Sequence, residues 1–122
     1  MTASAPWPAL KRDLVAILRG IRPDETATIV AELLDAGFEA VEIPLNSPDP
    51  FRSIEIAAGV APKGTLIGAG TVLDTESVDR LASAGGTLMV SPNVDAMVLA
   101  RAGGHGMVPL PGGLTPTEAF AA

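Results

Sequence analysis

The sequence contains no cysteine and no tyrosine, and aromatic residues make up only 3% of its 122 residues. The absence of cysteine excludes a disulfide framework and thiolate chemistry, and it fits a reducing cytosol. Because 48% of the residues are hydrophobic and so few are aromatic, the core must consist mainly of Ala, Val, Ile and Leu. That mixture is typical of parallel sheets and of the helices that cover them.

Basic residues are also scarce: eight Lys and Arg stand against fourteen Asp and Glu, which gives a formal net charge of -6. Binding to nucleic acid or to an anionic membrane depends on clustered basic side chains, so we expect neither partner. No apolar run approaches the length of a membrane span, and the first residues contain no signal-peptide core. We therefore expect a soluble, cytoplasmic protein.

Five short apolar runs recur along the chain, and amphipathic segments with helix signals separate them. The runs comprise residues 14–18, 40–43, 65–69, 87–91 and 106–110. In the segment "PDETATIVAELLDAG", Ile29, Val30, Leu33 and Leu34 share one helical face, and Gly37 is placed to end the helix. The same glycine stop recurs in "SAGG" and "RAGG". Strands that alternate with helices of this length predict an α/β fold with a parallel sheet.

The last loop leads into a fifth helix, because Thr115 precedes Glu118 by three residues and Pro116 stands at the first helical position. A closed (β/α)8 barrel needs eight strands. We therefore expect one domain, residues 1–122, that forms about five of the eight βα units of a TIM barrel and is truncated in its fifth helix.

Polar residues follow or end the predicted strands, where parallel α/β folds place their functional loops. Arg19 ends the first strand, Thr71 follows the third, and Pro92 and Asn93 follow the fourth. Each also has a structural explanation. Arg19 could be a salt-bridge partner, Thr71 could cap the next helix, and Pro92 with Asn93 could form a turn.

The glycines near this edge have two explanations as well. For Gly68 and Gly70, close packing against a helix is favoured over contact with a ligand. Gly112 and Gly113 could form a plain turn or a nest of backbone amides that binds an anion.

Glu42 places a carboxylate in the middle of the second apolar run, where an unpaired charge costs several kcal/mol. Desolvation would raise the pKa of this carboxyl group, which suits a general acid/base near neutral pH. Alternatively, Glu42 could form a buried ion pair with Arg19 on the adjacent strand. Position alone does not separate the two interpretations.

The motifs "AILRGI", "DAGFEAVEIPLNSP", "LIGAGTVL" and "VSPN" together resemble the family of 2-keto-3-deoxy-6-phosphogluconate and 6-phosphogalactonate aldolases, and "EIPLNSP" with "ILRGI" resembles the galactonate branch. The resemblance implies a class I aldolase on a (β/α)8 barrel, without cofactor or metal and commonly trimeric. Such enzymes cleave 2-dehydro-3-deoxy-6-phosphogalactonate to pyruvate and D-glyceraldehyde 3-phosphate through a lysine Schiff base. By the same resemblance Glu42 shuttles protons, Arg19 contacts the substrate, and Thr71 and Pro92 line the pyruvate-binding part of the site.

The nucleophilic lysine of that chemistry has no counterpart in this sequence. Lys11 and Lys63 precede the first and third strands, so we expect both at the opposite, amino-terminal end of the sheet. The resemblance implies a lysine on a sixth strand, in a K-x-F-P motif beyond Ala122. His105, the sole histidine, precedes the fifth strand and is expected to stabilise a loop rather than to bind a metal. We expect no turnover from this chain alone.

Two other functions stay open. The chain could be a non-catalytic module that pairs with another chain through its open sheet edges. It could also belong to a different barrel enzyme that acts on a sugar phosphate, such as an isomerase or an epimerase.

Overall fold

The computed structural model describes residues 4–122. Across this range five strands alternate with five helices, and the strands form one parallel sheet whose order follows the chain. The strands are β1 (Ala16–Ile17), β2 (Ala40–Pro44), β3 (Leu66–Gly70), β4 (Leu88–Ser91) and β5 (Val108–Pro111). The helices are α1 (Pro23–Asp35), α2 (Pro50–Val60), α3 (Thr75–Ser83), α4 (Ala96–Gly104) and α5 (Pro116–Ala121). Sequential parallel βα units are those of a (β/α)8 barrel, so the predicted partial barrel is confirmed.

The two faces of the sheet bury different residues, because successive side chains of a strand point to opposite sides. Val41, Ile43 and Ile67 belong to the large cluster that the helices cover. Ala40 and Leu66 belong to a smaller cluster, which also contains Leu88 and Val108. We call the face that carries Ala40, Glu42 and Leu66 the inner face, since it corresponds to the interior of a barrel.

The segment before β1 covers the amino-terminal end of the inner face. Trp7 and Leu10 pack against the smaller cluster. The backbone N–H of Ala5 donates to the carbonyl of Met107, just before β5, at 3.2 Å. The N–H of Lys11 donates to Glu39 Oε1, just before β2, at 2.9 Å. The amino end of the sheet is therefore closed by apolar packing and by satisfied hydrogen bonds.

Three helices have clear end signals, and those at Gly37 and Thr115 were predicted from the sequence. Gly37 follows α1 with a φ of +103°. Asp74 caps α3 by accepting a hydrogen bond from the N–H of Ser77 at 2.7 Å. Thr115 caps α5 by accepting from the N–H of Glu118 at 3.2 Å. Among the helices of the described part of the chain, none has the length and apolar character that crossing a membrane requires.

The stop predicted at "RAGG" is wrong. Gly103 and Gly104 are the last residues of α4, and the left-handed residue is Gly106, with a φ of +72°. The N–H of Met107 closes the turn by donating to the carbonyl of Ala102 at 3.0 Å. Glycine is tolerated within a helix at some cost, so the glycine pair marks the last residues of α4 but not the left-handed residue that follows it.

Candidate functional site

Glu42 lies on the inner face of β2 and is only 3% exposed. Its Oε2 atom is buried and has no hydrogen-bond partner among residues 4–122. Burial raises the pKa of Glu42 from 4.5 to about 7, and the positive charge of Arg19 opposes this rise. A carboxyl group in this state can hold or release a proton at neutral pH, as a general acid/base must.

Arg19 does not neutralise this carboxylate directly. Its Nη1 atom donates to Asn46 Oδ1 at 2.5 Å, and its side chain is exposed. The salt bridges of the described residues do not include a pair between Arg19 and Glu42. The buried ion pair considered from the sequence is therefore wrong, because the arginine extends over the rim to the next loop instead of into the sheet.

Two residues after β2 hold the loop that carries Arg19. Asn46 accepts the hydrogen bond from the guanidinium, and Ser47 Oγ accepts from the backbone N–H of Gly20 at 3.0 Å. Ser47 is buried although it is polar, which fits a hydroxyl that is committed to a backbone partner. No role was predicted for either residue from the sequence. The sequence feature that could have identified them is their position in "PLNSP", directly after a strand.

Thr71 follows β3 and adopts a left-handed backbone, with a φ of +58°. For a β-branched residue this conformation is a genuine outlier, and such strain costs on the order of 1–3 kcal/mol. Capping does not explain it, because Asp74 caps α3. The strain thus falls on a residue to which the resemblance assigns a place in the pyruvate site.

Pro92 follows β4, and its loop contacts the loop after β5. A Cβ atom on Gly112 would lie 2.6 Å from the carbonyl oxygen of Pro92. The N–H of Gly112 donates to the carbonyl of Ser91 at 2.8 Å. Because this N–H already has a partner, the structure favours a turn over an anion-binding nest at Gly112.

The structure brings the four predicted site residues to one edge of the sheet. Glu42 lies within β2, and Arg19, Thr71 and Pro92 follow β1, β3 and β4, which are consecutive neighbours in the sheet. The carboxyl ends of parallel strands lie at the same edge, so these residues share one rim. Their roles stay predictions.

Both lysines lie at the other end of the sheet, as predicted. Lys11 and Lys63 line one surface groove together with Glu39, which directly precedes β2, and Thr65, which directly precedes β3. Neither amine reaches the rim that carries Glu42.

His105 lies on the helical side of the sheet, after α4. Its Nε2 atom is 2.8 Å from Asp79 Oδ1, and Arg101 also contacts Asp79, with its Nε 2.9 Å from Oδ1. The hydrogen bond from His105 is the main cause that lowers the pKa of Asp79. Within residues 4–122, no group of three or more His, Asp or Glu side chains could hold a metal ion.

Comparison with known proteins gives a consistent family. The family model for KDPG and KHG aldolase matches residues 9–122. The chain is 60% identical over 117 residues to a probable 2-dehydro-3-deoxy-6-phosphogalactonate aldolase of Rhizobium meliloti (strain 1021), covering 96% of this chain and 55% of the relative. It is 53% identical over 112 residues to the 2-dehydro-3-deoxy-6-phosphogalactonate aldolase of Escherichia coli (strain K12), covering 92% and 55%.

A solved structure described as native KDPGal superposes with a TM-score of 0.90 at 51% identity. The match covers 95% of this chain and 56% of that one. The chain therefore spans about 55% of the length of the curated relatives it matches.

Proposed function

Since this chain belongs to the KDPG and KHG aldolase family, we propose that it supplies the proton-transfer residues of a class I aldolase, a carbon–carbon lyase. The proposed reaction is cleavage of 2-dehydro-3-deoxy-6-phosphogalactonate to pyruvate and D-glyceraldehyde 3-phosphate. The observation that carries this proposal is the buried carboxyl group of Glu42, whose Oε2 has no partner in the described range and whose pKa is raised to about 7.

Glu42 would carry one proton through the cleavage. The reaction moves a proton from the hydroxyl on C4 of the substrate to C3, which becomes the methyl group of pyruvate. The Glu42 carboxylate accepts the hydroxyl proton while the C3–C4 bond breaks and the aldehyde forms. The resulting carboxylic acid then donates that proton to C3 of the enamine. A pKa of about 7 favours both transfers, because neither the acid nor its conjugate base dominates at neutral pH.

The remaining rim residues would bind the substrate. The exposed guanidinium of Arg19 is available to a carboxylate or phosphate oxygen, a pairing that is strong when two N–H groups take part. Thr71 and Pro92 would border the pyruvate portion. Asn46 would keep the guanidinium over the rim.

The amine that forms the Schiff base would come from a part of the aldolase outside residues 1–122. Lys11 and Lys63 lie at the wrong end of the sheet, and the chain covers 55% of its curated relatives. We expect no adduct when this chain is treated with pyruvate and borohydride. A longer chain with the sixth-strand lysine should gain one reduced pyruvate by intact mass. An adduct on the 122-residue chain would overturn the assignment.

The direct test uses the longer chain and the Glu42→Gln variant. The amide keeps the shape of the side chain but cannot exchange the proton, so kcat should fall by about 10²-fold or more. Pyruvate release can be followed continuously with lactate dehydrogenase. Glu39→Gln is the matched control, because Glu39 directly precedes the same strand and accepts a hydrogen bond from the backbone N–H of Lys11. A Glu42→Gln enzyme that keeps the rate of the control would exclude Glu42 as the proton carrier.

We also propose the galactonate epimer as substrate, and a cytoplasmic homotrimer as the form of the complete aldolase. Two relatives at 60% and 53% identity carry the galactonate name, which supports the substrate. Measuring kcat/KM for the galactonate and gluconate epimers on the longer chain tests this choice. Sedimentation velocity tests the trimer.

A second function is favoured by the edges of the sheet. β1 and β5 each have one neighbouring strand, and Ile17 on β1 is 62% exposed. Such edges could pair with another chain. If this function holds, the 122-residue chain forms a defined, folded oligomer by light scattering. Aggregation would count against it.

A further inference from the structure

The carboxylate of Glu42 occupies the space that a side chain would need on the neighbouring strand. A Cβ atom built on Gly70 would lie 2.5 Å from Oε1 and 2.6 Å from Cδ of Glu42, and closer still to Oε2. Real Cβ atoms essentially never approach other atoms this closely. With the present position of Glu42, residue 70 therefore cannot carry a side chain.

Helix packing, which the sequence suggested for Gly68 and Gly70, is wrong. A Cβ atom on Gly68 would lie 2.5 Å from the carbonyl carbon of Leu88 on β4, and one on Gly70 would meet Glu42 on β2. Both contacts run between strands, not to a helix. The two glycines leave room for different neighbours on the two sides of β3.

Backbone conformation does not explain Gly70. Gly20, Gly37 and Gly106 have left-handed backbones, with φ of +85°, +103° and +72°, and a Cβ atom on any of them would meet nothing within 4 Å. Gly70 is the opposite case. It lies in a β-strand and its φ is not in the left-handed range, so an alanine could adopt its backbone. What glycine provides here is space.

The direction of the Glu42 side chain follows from that space. Glu42 is paired in register with Gly68, whereas Gly70 is paired with Pro44, two residues further toward the carboxyl end of β2. The carboxylate lies over Gly70, so the side chain leans along the strands toward the rim. Without the gap at Gly70, the carboxylate could not lie at this depth on the inner face.

We propose that Gly70 is a positioning residue, whose missing side chain places the Glu42 carboxylate under the rim for proton transfer. The contact itself stands on the geometry of β2 and β3. Its consequence for catalysis rests on the function proposed above. A β-carbon at position 70 would displace the carboxylate from the point at which it is held.

A double-mutant cycle tests the contact without any activity measurement. Urea unfolding of the 122-residue chain is measured at about pH 3.5, below both the ordinary pKa of 4.5 and the raised pKa of about 7, so that Glu42 is largely protonated in the unfolded and the folded state alike. Gly70→Ala should raise the unfolding equilibrium constant by a factor at least about two larger in the parent chain than in the Glu42→Ala background, because in the parent the flexible Glu42 carboxyl group must leave its position. Gly59→Ala is the control, since a Cβ atom there meets nothing within 4 Å.

Either result of the cycle is informative. If Gly70→Ala does not fold but the double variant with Glu42→Ala does, the contact is established. An equal effect in both backgrounds, or failure of both to fold, would overturn the proposal, because the cost would then arise without the carboxylate.

The catalytic part is tested on the longer aldolase. Gly70→Ala should lower kcat by roughly tenfold to a hundredfold, the cost of a misplaced catalytic group. The inflection near pH 7 in kcat/KM should move toward 4.5 as the carboxylate becomes more exposed. A variant that only folds less well would keep the inflection, which would overturn the positioning role. If Glu42→Gln is fully active, the proposed function fails while the cycle still reports on the contact.

Discussion

The two ends of the inner face follow different physical rules, although the same strands build both. At the amino end, Leu66 belongs to the cluster against which Trp7 packs, and Glu39 accepts a backbone hydrogen bond. At the carboxyl end, Glu42 buries an oxygen that lacks a partner in the described range, and Thr71 holds a left-handed backbone. One end is optimised for stability. The other end contains two features that cost stability, the buried carboxyl group and the left-handed backbone, as expected where a fold carries its function.

The contrast is sharpest within β2. Ala40 and Glu42 lie two residues apart on the same face, and both are buried. Ala40 contributes to an apolar cluster, whereas Glu42 keeps an ionisable group out of water at a cost. Substitutions at the two ends should therefore differ in what they change: stability at the amino end, and protonation and strain at the carboxyl end.

The largest effect on stability is expected at the amino end. Leu66→Ala should lower the free energy of unfolding by about 2–5 kcal/mol, because it leaves a cavity in the inner cluster. Its effect should not extend to the pKa of Glu42. Leu114→Ala, at a side chain that is 98% exposed, should stay within about 0.5 kcal/mol. Urea unfolding checks both values. A loss below about 1 kcal/mol for Leu66→Ala would contradict the packing described here.

Glu42→Gln should stabilise the chain at high pH. Because the folded-state pKa is raised from 4.5 to about 7, ionisation of Glu42 costs stability as the pH rises through this interval. In the parent chain the stability is therefore highest below pH 4.5, where Glu42 is neutral in both states. It falls as the pH rises from 4.5 to 7 and has lost the whole contribution above pH 7.

Gln cannot ionise, so its advantage at pH 8 should be on the order of 3 kcal/mol, and it should shrink toward zero near pH 4. Urea unfolding at both pH values measures the difference. If the free energy of unfolding differs between Glu42→Gln and the parent chain by the same amount at pH 4 and pH 8, the pKa of Glu42 is not raised in the folded state.

Thr71→Gly should raise stability by about 1 kcal/mol. Glycine adopts the left-handed backbone without strain, which stabilises the folded state. Its greater conformational entropy in the unfolded chain offsets only part of this stabilisation. Thr65 directly precedes the same strand and has no left-handed φ, so Thr65→Gly should instead lower the free energy of unfolding by about 0.5–1 kcal/mol. Thermal unfolding compares the two. If both variants lose stability equally, Thr71 is not strained.

The smallest expected effect is on protonation alone. Arg19→Met removes the positive charge that opposes the burial of Glu42, so the pKa of Glu42 should rise above 7. Arg22→Met is the matched control, because Arg22 pairs with Asp24 and Glu25 at the start of α1. NMR titration of the Glu42 carboxyl carbon would detect the shift. A fall in the pKa of Glu42 in Arg19→Met would contradict the electrostatic account.

Local patterns in the sequence predicted most of the fold. The apolar runs located β2 to β5, and the signals at Gly37 and Thr115 located the ends of α1 and α5. The first run predicted a strand over residues 14–18, whereas β1 contains only Ala16–Ile17. An edge strand has a ladder partner on one side only, so apolar composition does not determine how far its pairing extends.

Contacts between side chains of different strands were beyond the sequence. It placed Arg19 near Glu42 but could not show that the guanidinium bonds to Asn46, because a long side chain has many positions of similar energy. It also could not show that Gly70 faces Glu42. That relation depends on the register between β2 and β3 and on the rotamer of Glu42, neither of which the local pattern specifies.

The protonation of Glu42 is measured most directly by an NMR titration of its carboxyl carbon in this chain, with Glu42→Gln used to assign the signal. A midpoint near pH 7 is expected, because burial raises the pKa of Glu42. A midpoint near 4.5 would mean that the carboxylate is solvated or paired in solution, and Glu42 would then not be the proton carrier.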